Sequence, residues 1–321
     1  MRDMPRASGN WGVSGCETLA LAWPSAPAES QESADVPPRR PIGGAEPEVS
    51  ANVAAVTRPT PGEHMGEFCT TETDGHLLIV TLNRPEKLNA LHPPANVELG
   101  GVFDQFAADP ELWVAIVTGS GRGFSAGNDL KYQASGGDMS VQAPAGFGGL
   151  TARYDLNKPV IAAVNGVAMG GGFEIALACD IIVAAQSATF ALPEPKVGLA
   201  ALAGGVHRLP RAIGVKQAMS MILTGRHVSA QEGKELGFVA EVVPDGDVVA
   251  AAKRWAGLIL ECSPMSIRAS KHAVYQGLEQ AGVQAASGGR YDAVVAMRHS
   301  EDFVEGPLAF SEKRSPQWKG R

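Results

Sequence analysis

The sequence feature that constrains the fold most is an apolar run that leads through three consecutive glycines into a helical pattern. Residues 160–164 are continuously apolar, which is typical of a strand buried on both faces of a parallel sheet. Gly170, Gly171 and Gly172 follow, and then a segment with helical character. Glycines let a ligand approach the backbone closely, and the first N–H groups of a helix have no partner within it. The pattern therefore predicts an anion-binding turn at the start of a helix.

Two glutamates are candidates for acid–base chemistry at this turn. Glu174 lies one turn inside the predicted helix, where a carboxylate could simply complement the helix dipole. Glu194 stands between Pro193 and Pro195 after a β-rich run, so the prolines present it at a strand end. Two carboxylates that face a common pocket can acquire different pKa values and divide acid and base work. We predict such a pair, with dipole complementation by Glu174 as the alternative.

Hydrophobic periodicity in the rest of the chain predicts an α/β fold. A hairpin is expected where residues 68–73 and 76–83 flank Asp74-Gly75, because Asp-Gly readily adopts the positive φ angles of a tight turn. Residues 95–108 carry apolar side chains at helical spacing. Helical patterns also dominate after residue 245, and strands with interleaved helices imply an α/β architecture. Buried strands are predicted at three continuously apolar runs, residues 114–118, 160–164 and 181–185.

Two glycine-rich segments leave alternatives open. Residues 131–149 lack clear periodicity, so we expect either a disordered insertion or a mobile wall of a binding site. Gly121, Gly123 and Ala126 match the spacing of a dinucleotide-binding fingerprint. However, residues 125–129 are a poor helix start, and no second strand follows to complete a βαβ unit. A dinucleotide site is therefore disfavoured.

The first 64 residues differ in composition from the rest. They hold nine of the 22 prolines and show neither helical nor strand periodicity, so we predict a disordered leader at 1–64. Residues 13–16 resemble a lipoprotein cleavage box and residues 26–28 a peptidase site, but neither follows the apolar run that a signal requires. We favour a third interpretation, that the natural start lies near Met65 and the leader is a tail or an over-extended reading frame. The predicted domains are a core at 65–262 and a C-terminal helical region at 263–321.

Composition narrows the class of protein and its partners. The 321 residues include 27 Lys and Arg against 34 Asp and Glu, a net charge of −7, which disfavours nucleic acid or an anionic membrane surface as a partner. The longest apolar runs fall well short of a spanning helix. Four dispersed cysteines and seven scattered histidines give no disulfide framework and no metal-ligand spacing. We therefore expect a reduced, cytoplasmic protein that binds no metal.

Several motifs together resemble the crotonase (enoyl-CoA hydratase/isomerase) superfamily over residues 68–321. Residues 83–90, Asn-Arg-Pro-Glu-Lys-Leu-Asn-Ala, look like the family's entry segment. Residues 124–130 look like its first oxyanion loop and residues 165–174 like its second. The resemblance is closest to the carnitinyl-CoA (crotonobetainyl-CoA) dehydratase branch, through patterns at residues 170–174, 190–194 and 305–321. It implies a ClpP/crotonase-like spiral of ββα units with a C-terminal helical region.

The resemblance also implies roles for individual residues. The backbone N–H groups of Asn128 and Gly171 would form an oxyanion hole for the thioester oxygen, and Glu174 and Glu194 would be the catalytic acid and base. Coenzyme A would be part of the substrate, with no separate cofactor and no metal. The implied assembly is a homotrimer or a dimer of trimers. The residues implied in CoA binding are Lys87, Leu88, Ala90, Ala126 and, in a segment that could instead be an ordinary amphipathic helix end, Phe310 and Lys313.

The implied reaction is reversible addition of water to a 2-enoyl-CoA thioester. Alternatives on the same fold are a Δ3,Δ2-enoyl-CoA isomerase, another CoA-ester enzyme, or a catalytically silent CoA-ester-binding protein. A carnitine-type substrate carries a trimethylammonium group that favours aromatic faces or carboxylates. Phe147, Tyr132 and Tyr154 are candidates for that contact, and packing is an equal alternative for each.

Overall fold

Strands that are apolar along most of their length form the centre of the molecule. The computed structural model describes residues 64–141 and 143–321. Within these residues the chain forms two sheets. Their strands are β1 (His64–Met65), β2 (Cys69–Asp74), β3 (Leu77–Leu82), β4 (Val114–Gly119), β5 (Gly123–Ser125), β6 (Val160–Val164), β7 (Val167–Met169), β8 (Ile181–Ala185), β9 (Thr189–Ala191), β10 (Val228–Ser229) and β11 (Glu241–Val243).

The two sheets arise from a repeated alternation along the chain. The larger sheet has the order β1-β2-β3-β4-β6-β8-β11, and the smaller has the order β10-β9-β7-β5. The chain passes three times from the large sheet to the small one, through β4 to β5, β6 to β7, and β8 to β9. All neighbours from β3 to β11 in the large sheet pair in parallel, and so do β5, β7 and β9 in the small one.

Helices follow these strand pairs and cover the sheets. A helix comes after each of the three passages, as a spiral of ββα units requires, and the predicted crotonase-like architecture is confirmed. Helices also dominate the C-terminal part, as predicted. The helices of the described residues are α1 (Pro93–Ala108), α2 (Leu130–Ala134), α3 (Gly171–Ala178), α4 (Gly205–Ile213), α5 (Val215–Ile222), α6 (Ala230–Leu236), α7 (Val248–Leu260), α8 (Pro264–Gly277), α9 (Val283–Ser287), α10 (Asp292–Arg298) and α11 (Glu301–Glu312).

Most long elements lie where periodicity predicts them. The hairpin forms from β2 and β3, with Gly75 at a φ of 58°. The helix predicted at 95–108 begins two residues earlier, because two prolines suit a first turn and the His92 ring accepts a hydrogen bond from the Ala95 N–H at 3.4 Å. The strands predicted at 160–164 and 181–185 have the predicted bounds. A strand buried on both faces is apolar along its whole length, so the ends of the apolar run mark the bounds of the strand.

The glycine-rich segments differ from part of the expectation. Gly123 opens β5 and not the first turn of a helix, so the fingerprint at residues 121–126 is not a dinucleotide site. Residues 131–149, expected to lack structure, include most of α2 and a 3-10 turn at Phe147–Gly149. Residue 142 lies outside the described residues. The 3-10 turn packs on α1 and α3, which supplies the burial that its sequence pattern does not reveal.

Some predictions fall at or beyond the edge of the described residues. The leader predicted at 1–64 lies outside them except for His64, which belongs to β1 and pairs with Thr71 of β2. The predicted boundary between residues 262 and 263 falls in the turn between α7 and α8. None of the helices in residues 64–141 and 143–321 combines the length and apolar character needed to cross a membrane. The same residues contain no group of three or more His, Cys, Asp or Glu arranged to hold a metal ion.

Asp180 joins the C-terminal helices to the central sheet. Its Oδ2 accepts hydrogen bonds from the N–H of Val160 in β6 and from Nζ of Lys271 in α8, both at 2.8 Å. Its Oδ1 accepts one from the Tyr275 hydroxyl at 3.1 Å. Lys271 also donates to the Lys158 carbonyl oxygen at 2.9 Å. The carboxylate and ammonium are 17% and 15% exposed, so solvent screens this ion pair only weakly.

We expect Lys271→Met to lower the free energy of unfolding by about 2–3 kcal/mol, because it leaves Asp180 largely buried without its cation. The matched control is Lys253→Met. Its ammonium lies 3.6 Å from Glu72 in a pair that is 38% and 52% exposed, so the expected loss is below about 1 kcal/mol. Urea unfolding at pH 7 measures both. Equal losses in the two variants would contradict this role for Asp180 and Lys271.

Candidate active site

Two glycine turns meet at one place between the sheets. Gly127 follows β5 and has a φ of 85°. A Cβ atom at this position would lie 2.5 Å from the Met169 carbonyl oxygen and 2.9 Å from the Gly171 amide nitrogen. Only glycine permits both the backbone angle and this approach. The loop after β5 and the turn before α3 are therefore in direct backbone contact.

This contact brings two unused amide N–H groups together. Leu91 N–H donates to the Gly127 carbonyl at 2.8 Å, and Asp129 N–H donates to the Leu91 carbonyl at 2.8 Å. Asn128 lies between the two residues that make these bonds, so its own N–H is on the side of the loop opposite Leu91. Gly171 is the first residue of α3, where an N–H has no partner within the helix. Within the described part of the chain, neither the Asn128 nor the Gly171 N–H donates a hydrogen bond.

A buried ion pair holds the Asn128 loop. Asp129 is 4% exposed, and its Oδ2 lies 3.1 Å from an Arg84 guanidinium nitrogen. Its Oδ1 accepts a hydrogen bond from the Tyr132 N–H at 3.1 Å and so caps α2. Burial alone would raise the pKa of Asp129, but the hydrogen bonds from Tyr132 and Arg84 and the charge of Lys87 lower it below its usual value. The residue next to the Asn128 amide is thus a fixed carboxylate.

Two asparagines in the sequence motifs have scaffold roles that the sequence did not reveal. The Asn89 side chain donates to the Gly123 carbonyl at 2.8 Å and to the Ser120 carbonyl at 3.0 Å. Asn165 accepts from the Gly119 N–H at 3.2 Å and donates to the Gly121 carbonyl at 3.0 Å. The two side chains bind the turn between β4 and β5 from both sides. They position the strand that leads to Asn128.

Glu174 lies in α3 with its carboxylate almost entirely shielded from solvent. It is 3% exposed, and its Oε1 accepts a hydrogen bond from the Gly205 N–H at 2.8 Å. Burial raises the pKa of Glu174 to about 7, the Gly205 hydrogen bond opposes that rise, and the charge of Glu194 adds to it. The Gly205 donor was not predicted, although the glycines at 204 and 205 are a visible signal for a backbone that approaches another group.

Glu194 reaches the same glycine turn from the segment that follows β9 in the small sheet. It begins a 3-10 turn, Glu194–Val197, directly after β9. A Cβ atom at Gly170 would lie 2.7 Å from Glu194 Oε1, so the carboxylate rests against the turn. Its Oε2 is buried and has no hydrogen-bond partner among the described residues. Burial raises the pKa of Glu194 above its ordinary value.

The predicted constellation therefore comes together in space. The Gly170-Gly171 turn has the carboxylate of Glu194 against it, and Glu174 lies one helical turn further along. The charge of Glu194 contributes to the raised pKa of Glu174, which agrees with this proximity. A buried carboxylate oxygen without a partner is costly to the folded state, and such groups concentrate at functional sites. A simple complement to the helix dipole does not require a second carboxylate with a shielded oxygen.

The three aromatic candidates for the trimethylammonium contact have different surroundings. A Cβ atom at Gly171 would overlap the ring of Phe147, so that ring lies on the turn itself. The Tyr132 ring packs edge-on against His92, with centroids 4.8 Å apart. The Tyr154 ring is 75% exposed and is covered by the Arg208 guanidinium, 5.5 Å from its centroid. Only Phe147 of these three contacts the glycine turn.

The residues implied in CoA binding fall into two separate groups. The first group neighbours the Asn128 loop, where Ala126 N–H donates to the Leu88 carbonyl at 2.8 Å and Lys87 Nζ lies 3.5 Å from Asp129. Ala90 follows in the same segment. The second group is in α11, where Phe310 is 88% exposed and Lys313 is the residue after the helix, with a φ of 55°. No hydrogen bond or ring contact of the described residues joins the two groups within one chain.

Comparisons with known proteins identify relatives of this chain. A family model described as enoyl-CoA hydratase/isomerase matches residues 72–321. A carnitinyl-CoA dehydratase from Escherichia coli (strain K12) is 44% identical over 263 residues, which cover 80% of this chain and 100% of the relative. One from Citrobacter koseri is 46% identical over 265 residues, with the same coverage.

Solved structures show the same likeness in three dimensions. An enoyl-CoA hydratase from Mycobacterium tuberculosis H37Rv superposes with a TM-score of 0.74 at 37% identity, covering 79% of this chain and 99% of that one. A carnitinyl-CoA hydratase from Mycobacterium avium superposes with a TM-score of 0.63 at 38% identity, covering 80% and 100%. With a family match over most of its length and relatives well above 30% identity, this chain belongs to the enoyl-CoA hydratase/isomerase (crotonase) family.

Proposed function

We propose that the site adds water to 2-enoyl-CoA thioesters or removes it from 3-hydroxyacyl-CoA thioesters, with carnitinyl-CoA as a candidate substrate. The chain is a hydro-lyase of the enoyl-CoA hydratase type, as its relatives are named. The observation that carries the mechanism is the placement of a buried carboxylate, Glu174, and a half-buried one, Glu194, beside a turn with two unused amide donors. The reaction needs both features at once.

The amide donors suit the charge that develops during the reaction. Addition of hydroxide at C3 of an enoyl thioester moves electrons toward the thioester oxygen and gives an enolate-like transition state. The N–H groups of Asn128 and Gly171 would donate to that oxygen, and the positive end of the α3 dipole adds to the attraction. One preorganised donor of this kind is typically worth about 2.7–4 kcal/mol of transition-state stabilisation.

The two carboxylates would supply the proton transfers. In hydration, ionised Glu174 accepts a proton from water as the oxygen bonds to C3, and protonated Glu194 donates its proton to C2. Dehydration is the reverse. Protonated Glu174 donates its proton to the C3 hydroxyl group, which leaves as water, and ionised Glu194 removes the C2 proton. In both directions the pair holds one proton in total. The shared, solvent-shielded environment of the pair favours this single-proton state.

The segment around Lys87 would bind the CoA moiety. Lys87, Leu88, Ala90 and Ala126 neighbour the Asn128 loop, so a thioester held there would extend its CoA portion past them. Phe310 and Lys313 would contribute from a neighbouring subunit, since Phe310 is almost fully exposed on its own chain. We propose in addition that the protein assembles as a homotrimer or a dimer of trimers and is cytoplasmic. It would use no cofactor beyond the CoA of the substrate.

Two other functions on the same fold make different demands on the carboxylates. A Δ3,Δ2-enoyl-CoA isomerase moves one proton between two carbons and needs one carboxylate. A catalytically silent CoA-ester binder needs neither. The presence of both carboxylates at the turn favours the hydratase.

We expect Glu174→Gln and Glu194→Gln each to lower kcat for hydration of crotonyl-CoA by at least about 10²-fold, because each removes one proton transfer. The decrease in thioester absorbance measures turnover, and calorimetry with butyryl-CoA measures binding, which should persist. The matched control is Glu279→Gln on the exposed surface, which should leave both unchanged. Wild-type turnover in both active-site variants would exclude the mechanism, and loss in only one of them would favour the isomerase.

The single-proton requirement predicts a bell-shaped pH dependence of kcat/KM. The pair loses its last proton as the pH rises through the pKa of Glu174, about 7, so the rate should fall above that pH. It gains a second proton at low pH, and the raised pKa of Glu194 places that decline above the ordinary glutamate value. Initial rates with crotonyl-CoA from pH 4.5 to 9.5 test this. A profile that stays level through pH 7 would argue against a titrating carboxylate pair.

Protein stability separates a catalytic role of Glu174 from dipole complementation. The folded-state pKa lies near 7, above the value of 4.5 for an exposed glutamate, so ionisation on raising the pH through this window destabilises the fold. Glu174→Gln should therefore raise the free energy of unfolding at pH 8 by on the order of 1–3 kcal/mol and change it little at pH 4.5. Urea unfolding at both pH values provides the comparison. A less stable variant at pH 8 would favour dipole complementation instead.

A further inference from the structure

The ring of Phe147 forms one wall of the candidate site. It lies on Gly171, and the next residue, Gly148, packs so closely on Ile175 that a Cβ atom there would overlap the isoleucine side chain. Residues 171, 174 and 175 are neighbours on one face of α3, because positions three and four apart adjoin on a helix. The ring therefore borders the helix face that also carries Glu174.

Hydrogen bonds hold this wall in place before any ligand binds. Phe147 N–H donates to Thr151 Oγ1 at 2.8 Å, and Gly148 N–H donates to Asn96 Oδ1 in α1 at 2.9 Å. An Arg208 guanidinium nitrogen in α4 donates to the Thr151 carbonyl at 2.9 Å. The Phe147 side chain is only partly buried against the core, so part of the ring remains available for contact. A fixed aromatic face loses little freedom when a ligand binds.

The charges around this wall suit a cation that cannot donate hydrogen bonds. Glu174 and Glu194 form no ion pair with Lys, Arg or His among the described residues, and one Glu194 oxygen has no hydrogen-bond partner there. The Arg208 guanidinium, whose charge lowers the pKa of Glu174, sets one positive charge against these two carboxyl groups. A quaternary ammonium group gains attraction from carboxylates through its charge and from an aromatic face through the ring quadrupole. The structure combines these two features around one turn.

We propose that Phe147 determines specificity for acyl groups that carry a trimethylammonium at C4, through contact between its ring and that cation. The inference rests on the proposed function, which places the thioester oxygen at Gly171. Four bonds of about 1.5 Å separate the thioester carbonyl carbon from a nitrogen on C4, so the cation lies within about 6 Å of that carbon. The ring that covers Gly171 is within this reach. Tyr132 and Tyr154 contact His92 and Arg208 instead.

Binding of two saturated CoA esters to the full chain tests this proposal without depending on turnover. One is γ-butyrobetainyl-CoA, and the other is 5,5-dimethylhexanoyl-CoA, in which a neutral tert-butyl group replaces trimethylammonium at nearly the same size. Wild type should prefer the cationic ester. Phe147→Leu should weaken the cationic ester about 3- to 30-fold and change the neutral one less than about 3-fold. Phe147→Tyr, which keeps an aromatic face, should retain the preference.

The matched control is Tyr154→Leu, which makes the same change at an aromatic ring away from the glycine turn and should retain the preference. The role of Phe147 would be overturned if Phe147→Leu bound both esters more weakly by the same factor. It would also be overturned if Phe147→Leu had a wild-type melting temperature and an unchanged preference for the cationic ester. Should Phe147→Leu fail to fold, loss of the preference in folded Phe147→Tyr would overturn it as well. If wild type binds neither ester, the proposed function itself fails. If it binds both equally, the function stands and only the specificity inference fails.

Discussion

The close contact between the backbones at Gly127 and Gly171 is the constraint on which the rest of the site depends. It places an amide from the loop after β5 next to an amide at the start of α3, and any side chain at Gly127 would separate them. The ββα repeat produces this contact, because successive units deliver their strand ends to the same region between the two sheets. Asn89 and Asn165 then hold the turns in register through side-chain hydrogen bonds to backbone carbonyls.

Electrostatics explains why both carboxylates belong at this contact. The α3 N-terminus and the two amides form an environment that favours negative charge on a ligand oxygen. A carboxylate that stayed fully ionised beside that oxygen would oppose the same charge. Burial raises the pKa of both Glu174 and Glu194, so the pair can carry a proton near neutral pH. Under the proposed mechanism, the site would therefore combine anion stabilisation with a proton source.

Sequence reasoning succeeded where a pattern extends over five or more residues and failed where the fold depends on short segments. Strands β6 and β8 have their predicted bounds, because continuous burial gives a strong signal. Of the small sheet, the residues indicated only β9, as the β-rich run before Glu194. Its other strands have two or three residues, from which no periodicity can be read. The turn at Phe147–Gly149 was also missed, because its structure comes from packing on α1 and α3 and not from its own composition.

The same reasoning explains which site residues were accessible from the sequence. Glu174 and Glu194 were predicted from side chains that stand out against an apolar background, and the structure brings them to one turn. The proposed donors at Asn128 and Gly171 would act through the backbone, so the identity of residue 128 reveals nothing by itself. The neighbouring glycines are the signal. The Gly205 N–H that binds Glu174 likewise belongs to the backbone. Glycines in the sequence therefore indicate a site that is made largely of backbone amides. The geometry of such a site can be determined only from the three-dimensional structure.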